Sequence, residues 1–306
     1  MWFYGLCILT GIFLVFSFIK NRERKLLREK KLLETKVEER TAEVMMQKEI
    51  VETQNKEIRD SILYAKRIQE AILPSQDEIT KAFPDSFVLF KPRDIVSGDF
   101  YWFSEKNGKL VITVADCTGH GVPGAFMSMI GNTLLNEIVN EKEVLEPSQI
   151  LFDLRQNIMK CLKQTGAEGE NKDGMDIALC VFDRNTLELE FAGANNPLYL
   201  ISEEELLEIK GDKQPIGVYN GQTKPFTNHS KVLKKGDCVY IASDGYADQF
   251  GGTNGKKFKY KQMKDLLVSS KNMTMQAQKT VLENNIEQWR GNLEQVDDIL
   301  VIGFRV

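Results

Sequence analysis

Histidine is almost missing from this chain. His120 and His229 are its two histidines in 306 residues. That excludes histidine-rich metal sites and leaves little for imidazole-based acid–base chemistry. Any metal chemistry must therefore be carboxylate chemistry. Cysteine is sparse and unpatterned: Cys7, Cys117, Cys161, Cys180 and Cys238 form no CxxC pair. A zinc or disulfide framework is excluded on that spacing, and free thiols fit a reducing cytoplasm. Basic charge is not in excess either. With 40 Lys and Arg against 44 Asp and Glu, the net charge of -4 gives no footprint for nucleic acid. Proline and glycine are absent from Asn21 to Leu73, which removes the usual helix breakers there. No sequence repeat is evident.

What is present begins with an apolar stretch. Trp2 to Ile19 carries no charge over 18 residues, and as a helix it would span roughly 27 Å, near the hydrocarbon thickness of a bilayer. Lys20, Arg22, Arg24, Lys25, Arg28, Lys30 and Lys31 follow. By the positive-inside rule the C-terminal side faces the cytoplasm. The expectation is a single-pass anchor at 1–20 in the inner membrane, with the rest of the chain cytoplasmic. The competing reading, a secretory signal peptide, lacks a basic region before the apolar run and a small-residue cleavage site after it. Little sequence precedes the span, so no extracellular sensor is expected, and the chain could be a shortened form of a longer receptor.

Residues 21–73 then read as a signalling helix. Val37, Val44, Val51, Ile58, Ala65 and Ile72 recur every seven residues. Leu26, Leu33 and Ile68 hold the companion seam position, with Arg40, Gln47, Gln54 and Ser61 between them. One clean seam and one half-polar seam predict a parallel coiled coil of modest stability and a homodimer. The alternative is a charged single helix with accidental spacing. Pro74 ends the helix, and 74–85 reads as a connector. The globular domain is expected over 86–306. It has strands near Ser86–Lys91, Asp99–Ser104 and Lys109–Ala115, and a helix at Pro123–Asn140 with another at Pro147–Gln164. Hairpin-like pairs follow, then a strand at Asp237–Ala242, two more helices, and a last strand at Ile299–Phe304. Without regular βαβ alternation, this pattern predicts an α+β layered sandwich.

One stretch organises the rest: VITVADCTGHGVPGAFMSM, Val111 to Met129. A β-branched apolar run ends in Asp116, followed by Gly119, His120, Gly121 and Gly124, with Pro123 early in an apolar helix. A carboxylate at a strand end, against a Gly-rich turn and a helix N-terminus, suits a hard cation beside an anion such as phosphate. The plain alternative is an Asp that caps the turn. Asp99 in SGDFYWF, Asp244 in VYIASDG and Asp297 or Asp298 in DDILVIGF repeat the arrangement, a carboxylate against an apolar strand. If those strands neighbour one another, the carboxylates converge and raise each other's pKa. Divalent cations remove that penalty, and carboxylate with water suits Mg²⁺ or Mn²⁺. Two such ions roughly 4 Å apart can activate water for in-line attack on phosphorus.

SGDFYW, ADCTGHGVPGAF, AGANNPLYL, ASDGYADQFGG and QVDDILVIGF, in that order, resemble the bacterial SpoIIE-like branch of the metal-dependent (type 2C) Ser/Thr protein phosphatases. The resemblance covers about Phe87 to Val306. It implies a four-layer α-β-β-α sandwich with a dimetal site at the sheet edge. Asp116 would bridge both cations and the Cys117 carbonyl would bind one. Asp244 and Asp297 would hold the second, and Asp99 would bind directly or through water. Asp298 is the less favoured of its pair. Catalysis would centre on Asp116 and Asp244. An arginine for the substrate phosphate, used by animal relatives, has no secure counterpart; Arg93 is a weak candidate, and His120 is a weak candidate proton donor to the leaving group or a turn residue. Asn195 and Asn196 would shape a turn, and Gly119 and Gly121 would set backbone geometry. Gln249–Lys257 would be a flap whose Lys256 and Lys257 attract a phosphorylated partner, or a solvated loop.

The resemblance implies a membrane-tethered enzyme that hydrolyses phosphoserine or phosphothreonine on a small regulator, such as an anti-anti-sigma-like protein of a partner-switching pathway, with the coiled coil regulating it. Two other classes compete. A non-catalytic signalling scaffold with a phosphatase-like domain would tend to lose Asp99, Asp116, Asp244 or Asp297. VEERTAEV resembles the linker of sensor histidine kinases, but no His lies in the helical region and no Gly-rich nucleotide box follows.

Overall fold

The structure is a computed structural model that describes residues 2–167, 169–203, 205–219 and 224–306. It divides into two bodies, Met1–Ser61 and Ile62–Val306.

The first body is helix alone. Helix α1, Trp2–Ile72, is unbroken: it holds no proline, and Gly5 and Gly11 both lie in its apolar first part. By length and composition its first part can cross a membrane: its most apolar window has a mean hydropathy of 2.1. Beyond that window, Leu26, Leu33, Val37, Val44, Val51 and Ile58 all lie exposed on the helix.

The second body begins inside α1, at Ile62, earlier than the sequence suggests. The stretch read as a connector is part of it. Ser75 caps a short helix α2, Gln76–Ala82, by accepting a hydrogen bond from the Glu78 amide. Ile79, Ala82 and Phe83 are buried, and the Phe83 ring lies 4.2 Å from that of Phe304. The seven-residue length and the charges at Asp77, Glu78 and Lys81 hid this helix; three apolar side chains anchor it.

Two five-stranded antiparallel sheets follow. One contains β1 (Ser86–Lys91), β12 (Ile299–Arg305), β9 (Cys238–Ala242), β6 (Leu198–Ser202) and β7 (Glu205–Ile209), in that order across the sheet. The other runs β2 (Phe100–Lys106), β3 (Lys109–Cys117), β4 (Met175–Asp183), β5 (Glu188–Ala194) and β8 (His229–Val232). β8 escapes sequence reading because its residues, HSKV, are largely exposed and lie at a sheet edge.

The apolar runs of β3 and β4 follow from burial on both faces. Leu110, Ile112 and Val114 point between the sheets, where they meet Val88, Ile241, Ile302 and Phe304. Val111 and Ala115 point the other way, onto α3 (Gly121–Leu135) and α4 (Pro147–Cys161) through Met127, Leu135, Leu151 and Leu154. A π-helical turn, Asn136–Glu141, continues α3. On the far side of the first sheet, Leu89, Tyr199 and Tyr240 meet Met263 and Leu267 of α6 (Tyr260–Ser270). They also meet Leu282 and Ile286 of α7 (Met275–Arg290). Between β9 and α6 lie a one-turn helix α5 (Gly245–Asp248) and a small ladder, β10 (Phe250–Gly251) with β11 (Lys256–Lys257). The stretch expected as a flap or a solvated loop thus carries a short hairpin.

Candidate metal centre

Each sheet delivers carboxylates to the same end of the sandwich. From one, Asp99 immediately precedes β2, and Asp116 and Asp176 face each other in register near the ends of β3 and β4. From the other, Asp244 follows β9 and Asp297 lies two residues before β12, strands that pair through Ala242 and Val301. Asp116, Asp176, Asp244 and Asp297 line one cleft of about 420 Å³ with Cys117, Thr118, His120 and Lys172.

Close backbone approach builds the cleft floor. A Cβ on Gly124, in the first turn of α3, would lie 2.4 Å from the Gly119 carbonyl and 2.7 Å from the Gly98 Cα. Glycine at these positions lets the turn after Asp116 sit against the backbone that carries Asp99. Gly245 does the same in the other sheet, where a Cβ would lie 2.0 Å from the Asp298 carbonyl oxygen.

Asp298 is buried and acts on backbone. Its Oδ1 accepts from the Arg93 amide at 2.7 Å, and its Oδ2 accepts from Gly98 at 2.7 Å and Asp99 at 3.4 Å. Of the pair, Asp297 lines the cleft, while Asp298 ties the Asp99 loop to the start of β12 through both of its oxygens. Arg93, exposed, donates from Nη1 to the Val296 carbonyl at 3.0 Å and is not in the cleft lining. His120 lines the rim, its Nδ1 2.8 Å from Asp94 Oδ2. Lys257 pairs with Asp248 at 2.7 Å.

Burial pushes the carboxylates up, and each neighbour's charge adds to it. Asp116 is raised to about 8 by burial and then by Asp244, Asp297 and Asp176. Asp244 is raised to about 6 by burial and by Asp297 and Asp248. Asp99, 2% exposed, is raised well above the usual carboxylate range by burial and Asp116. Asp297 and Asp176 move the same way, again chiefly by burial. Burial holds the Cys117 thiol protonated, with Asp116 and Asp99 reinforcing it, so it is no nucleophile.

Buried like charges at one place are unstable unless something positive joins them. Asp99 Oδ2 is buried and has no hydrogen-bond partner. Among the described residues no three His, Cys, Asp or Glu side chains close on a single point as a finished ligand shell. The carboxylates stand around the cleft instead, and the donor set is all oxygen. That chemistry fits hard divalent cations that keep several waters.

The sequence missed two participants. Asp176 opens the strand MDIALC in the arrangement used to find the other four, so its signal was present. Its Oδ1 accepts from Asn195 Nδ2 at 2.7 Å, and Asn195 adopts φ of 60°. Asn195 is thus the predicted turn residue and also orients a cleft carboxylate. Gln69 had no signal beyond its helix. It is 4% exposed; its Nε2 donates to the Ser97 carbonyl at 2.6 Å and Ser128 Oγ at 2.8 Å, and its Oε1 accepts from the Ser97 amide at 3.1 Å. The end of α1 therefore grips the backbone two residues before Asp99.

Known proteins share the family and the fold. The family described as Stage II sporulation protein E (SpoIIE) matches residues 106–306. The SiaA-PP2C domain of Pseudomonas aeruginosa is 33% identical, with a TM-score of 0.74, covering 82% of this chain and 98% of that one. The PP2C phosphatase domain of SpoIIE from Bacillus subtilis, with a fragment of its regulatory domain, shares the fold at 18% identity and a TM-score of 0.59, covering 72% of this chain and 63% of that one. "Phosphoserine phosphatase RsbU" of Bacillus subtilis is 26% identical over 195 residues, 62% of this chain. The match spans about half, 54%, of that relative's length.

Proposed function

This chain belongs to the SpoIIE family, with a PP2C-type phosphatase fold, and from that premise we propose that it is a metal-dependent protein serine/threonine phosphatase. The observation that carries the reading is the gathering of Asp116, Asp244 and Asp297 from two sheets around one cleft, with Asp99 buried beside Asp116, their protons held abnormally tightly and one Asp99 oxygen unpartnered. In this reading Asp116, Asp244, Asp297, Asp99 and the Cys117 carbonyl would together hold two divalent cations, Mn²⁺ or Mg²⁺. When bound, such a pair neutralises phosphoryl charge and activates water for in-line attack.

The chain's own residues do the rest. Asp298 fixes the Asp99 loop, Asn195 fixes Asp176, and the glycines let the backbone approach closely. His120, beside Asp94 at the rim, could give a proton to the leaving serine oxygen as its bond to phosphorus breaks. The four-layer reading rests on helices α3 and α4 against one sheet and α6 and α7 against the other.

The substrate in this reading is a phosphorylated regulator of the partner-switching kind, held by a protein tethered at 1–20 to the inner membrane with its catalytic domain at 86–306 in the cytoplasm. The exposed seam of α1 supports a homodimeric coiled coil over 21–73, and Gln69 offers it a route to the Asp99 loop. A proline in place of Gln54 should then alter the activity of the membrane-bound protein; unchanged activity removes the coiled coil from the mechanism.

The activity is tested with phosphoserine, phosphothreonine and phosphotyrosine peptides of one sequence. Phosphate release from the first two, restored by Mn²⁺ after chelation, is expected. Absence of both release and manganese binding would favour the scaffold; manganese bound without release would mean an enzyme that is switched off or specific for one partner.

A further inference from the structure

Four carboxylates line the cleft, Asp116, Asp176, Asp244 and Asp297, yet a phosphorylated substrate carries charge of the same sign. Two of the lining side chains can be positive among the described residues, Lys172 and His120. His120 already faces Asp94 at 2.8 Å. Arg93 directs its guanidinium to the Val296 carbonyl. Lys172 is exposed and, among the described residues, makes no ion pair or hydrogen bond.

The backbone beside Lys172 is nevertheless fixed. Thr118 N–H donates to the Gly174 carbonyl at 2.9 Å, and the Gly174 N–H returns a bond to Thr118 Oγ1 at 3.2 Å. Gln164 Nε2 donates to the Asp173 carbonyl at 2.6 Å. Thr118 is two residues beyond Asp116, and Gly174 two beyond Lys172. The pairing thus plants the lysine stem next to the strand end that presents the central carboxylate. A free ammonium on a flexible stem, rooted in fixed backbone, is a point charge suited to a phosphate oxygen.

We propose that Lys172 binds the phosphoryl group of the substrate in this cleft. The assignment rests on the phosphatase reading above, and it is tested so that the two can fail separately. The measurements are KM and kcat for a phosphoserine peptide and the affinity of the Mn²⁺-loaded full chain for inorganic phosphate. Lys172→Gln, Lys172→Arg and the unmodified protein are compared, with Mn²⁺ affinity as the control for an intact site. Lys172→Gln should weaken phosphate binding and raise KM by about tenfold, the effect of one charge-assisted hydrogen bond. kcat and Mn²⁺ affinity should change far less, and Lys172→Arg should recover most of the loss. Phosphate affinity and KM within twofold of the unmodified protein in Lys172→Gln would overturn the assignment, as would an Mn²⁺-loaded protein that binds no phosphate. Phosphate binding that depends on Lys172 without any turnover would uphold the assignment and refute the phosphatase reading alone.

Discussion

Replacing Asp116 by Asn should make the metal-free protein more stable and the metal-loaded protein less so. In the fold Asp116 ionises at about 8, against 3.8 for an unperturbed carboxyl, because it is buried beside Asp244, Asp297 and Asp176. A raised folded pKa gives stability that is complete below 3.8 and lost as pH rises through about 8. At pH 7 that loss reaches a ceiling of about 4 kcal/mol, taking 1.36 kcal/mol per pKa unit. For a domain of this size the ceiling corresponds to roughly 8–16 °C in melting temperature. Asparagine keeps the shape and never ionises. With chelator present, Asp116→Asn should melt above the unmodified chain at pH 8, and the gap should narrow towards pH 5. With Mn²⁺ present the order should invert, because the variant would lack a carboxylate that the proposed metal site needs. Thermal denaturation of the detergent-solubilised full chain across this pH range reads both effects. A variant that melts lower than the unmodified chain in chelator at pH 8, or an unmodified chain whose metal-free melting rises with pH, would refute the reasoning.

Three further substitutions probe the frame around the carboxylates. Gln69→Ala leaves the buried Ser97 amide and carbonyl without their partners and should cost about 1–3 kcal/mol in unfolding free energy, with a fall in kcat measured on the same samples. Gly124→Ala places a methyl group 2.4 Å from the Gly119 carbonyl, so it should cost about 1–3 kcal/mol by overpacking and lower Mn²⁺ affinity in titration calorimetry. Asp298→Ala frees the Arg93 and Gly98 amides and should weaken metal binding without touching a ligand; Asp298→Asn should retain more of it, since its carbonyl can still accept one of those bonds.

Much of this site could be read from the chain because strand ends are legible. An apolar or aromatic run bounded by a carboxylate marks both a strand and its end: Asp116 and Asp244 follow such runs, and Asp99 and Asp297 precede them. The choice between Asp297 and Asp298 was not readable. It depends on which side chain meets the amides of Arg93 and Gly98, some 200 residues away in sequence. Asp176 carried the same mark but was passed over as the opening of a hairpin. Gln69 and Lys172 had no mark: one polar residue on a charged helix and one lysine in a loop gain meaning only from tertiary neighbours. Helix α2 and strand β8 were missed for a similar reason, being short, charged segments fixed by packing or by an edge pairing rather than by local pattern.

The central claim is that these carboxylates hold metal for hydrolysis of a phosphorylated protein. The most direct test is phosphate release from a phosphoserine peptide in Mn²⁺ by the full chain and by Asp244→Asn. Release by the unmodified chain, abolished by chelator and by the variant, is the predicted result. Release that persists undiminished in Asp244→Asn, or that proceeds without metal, would contradict the account.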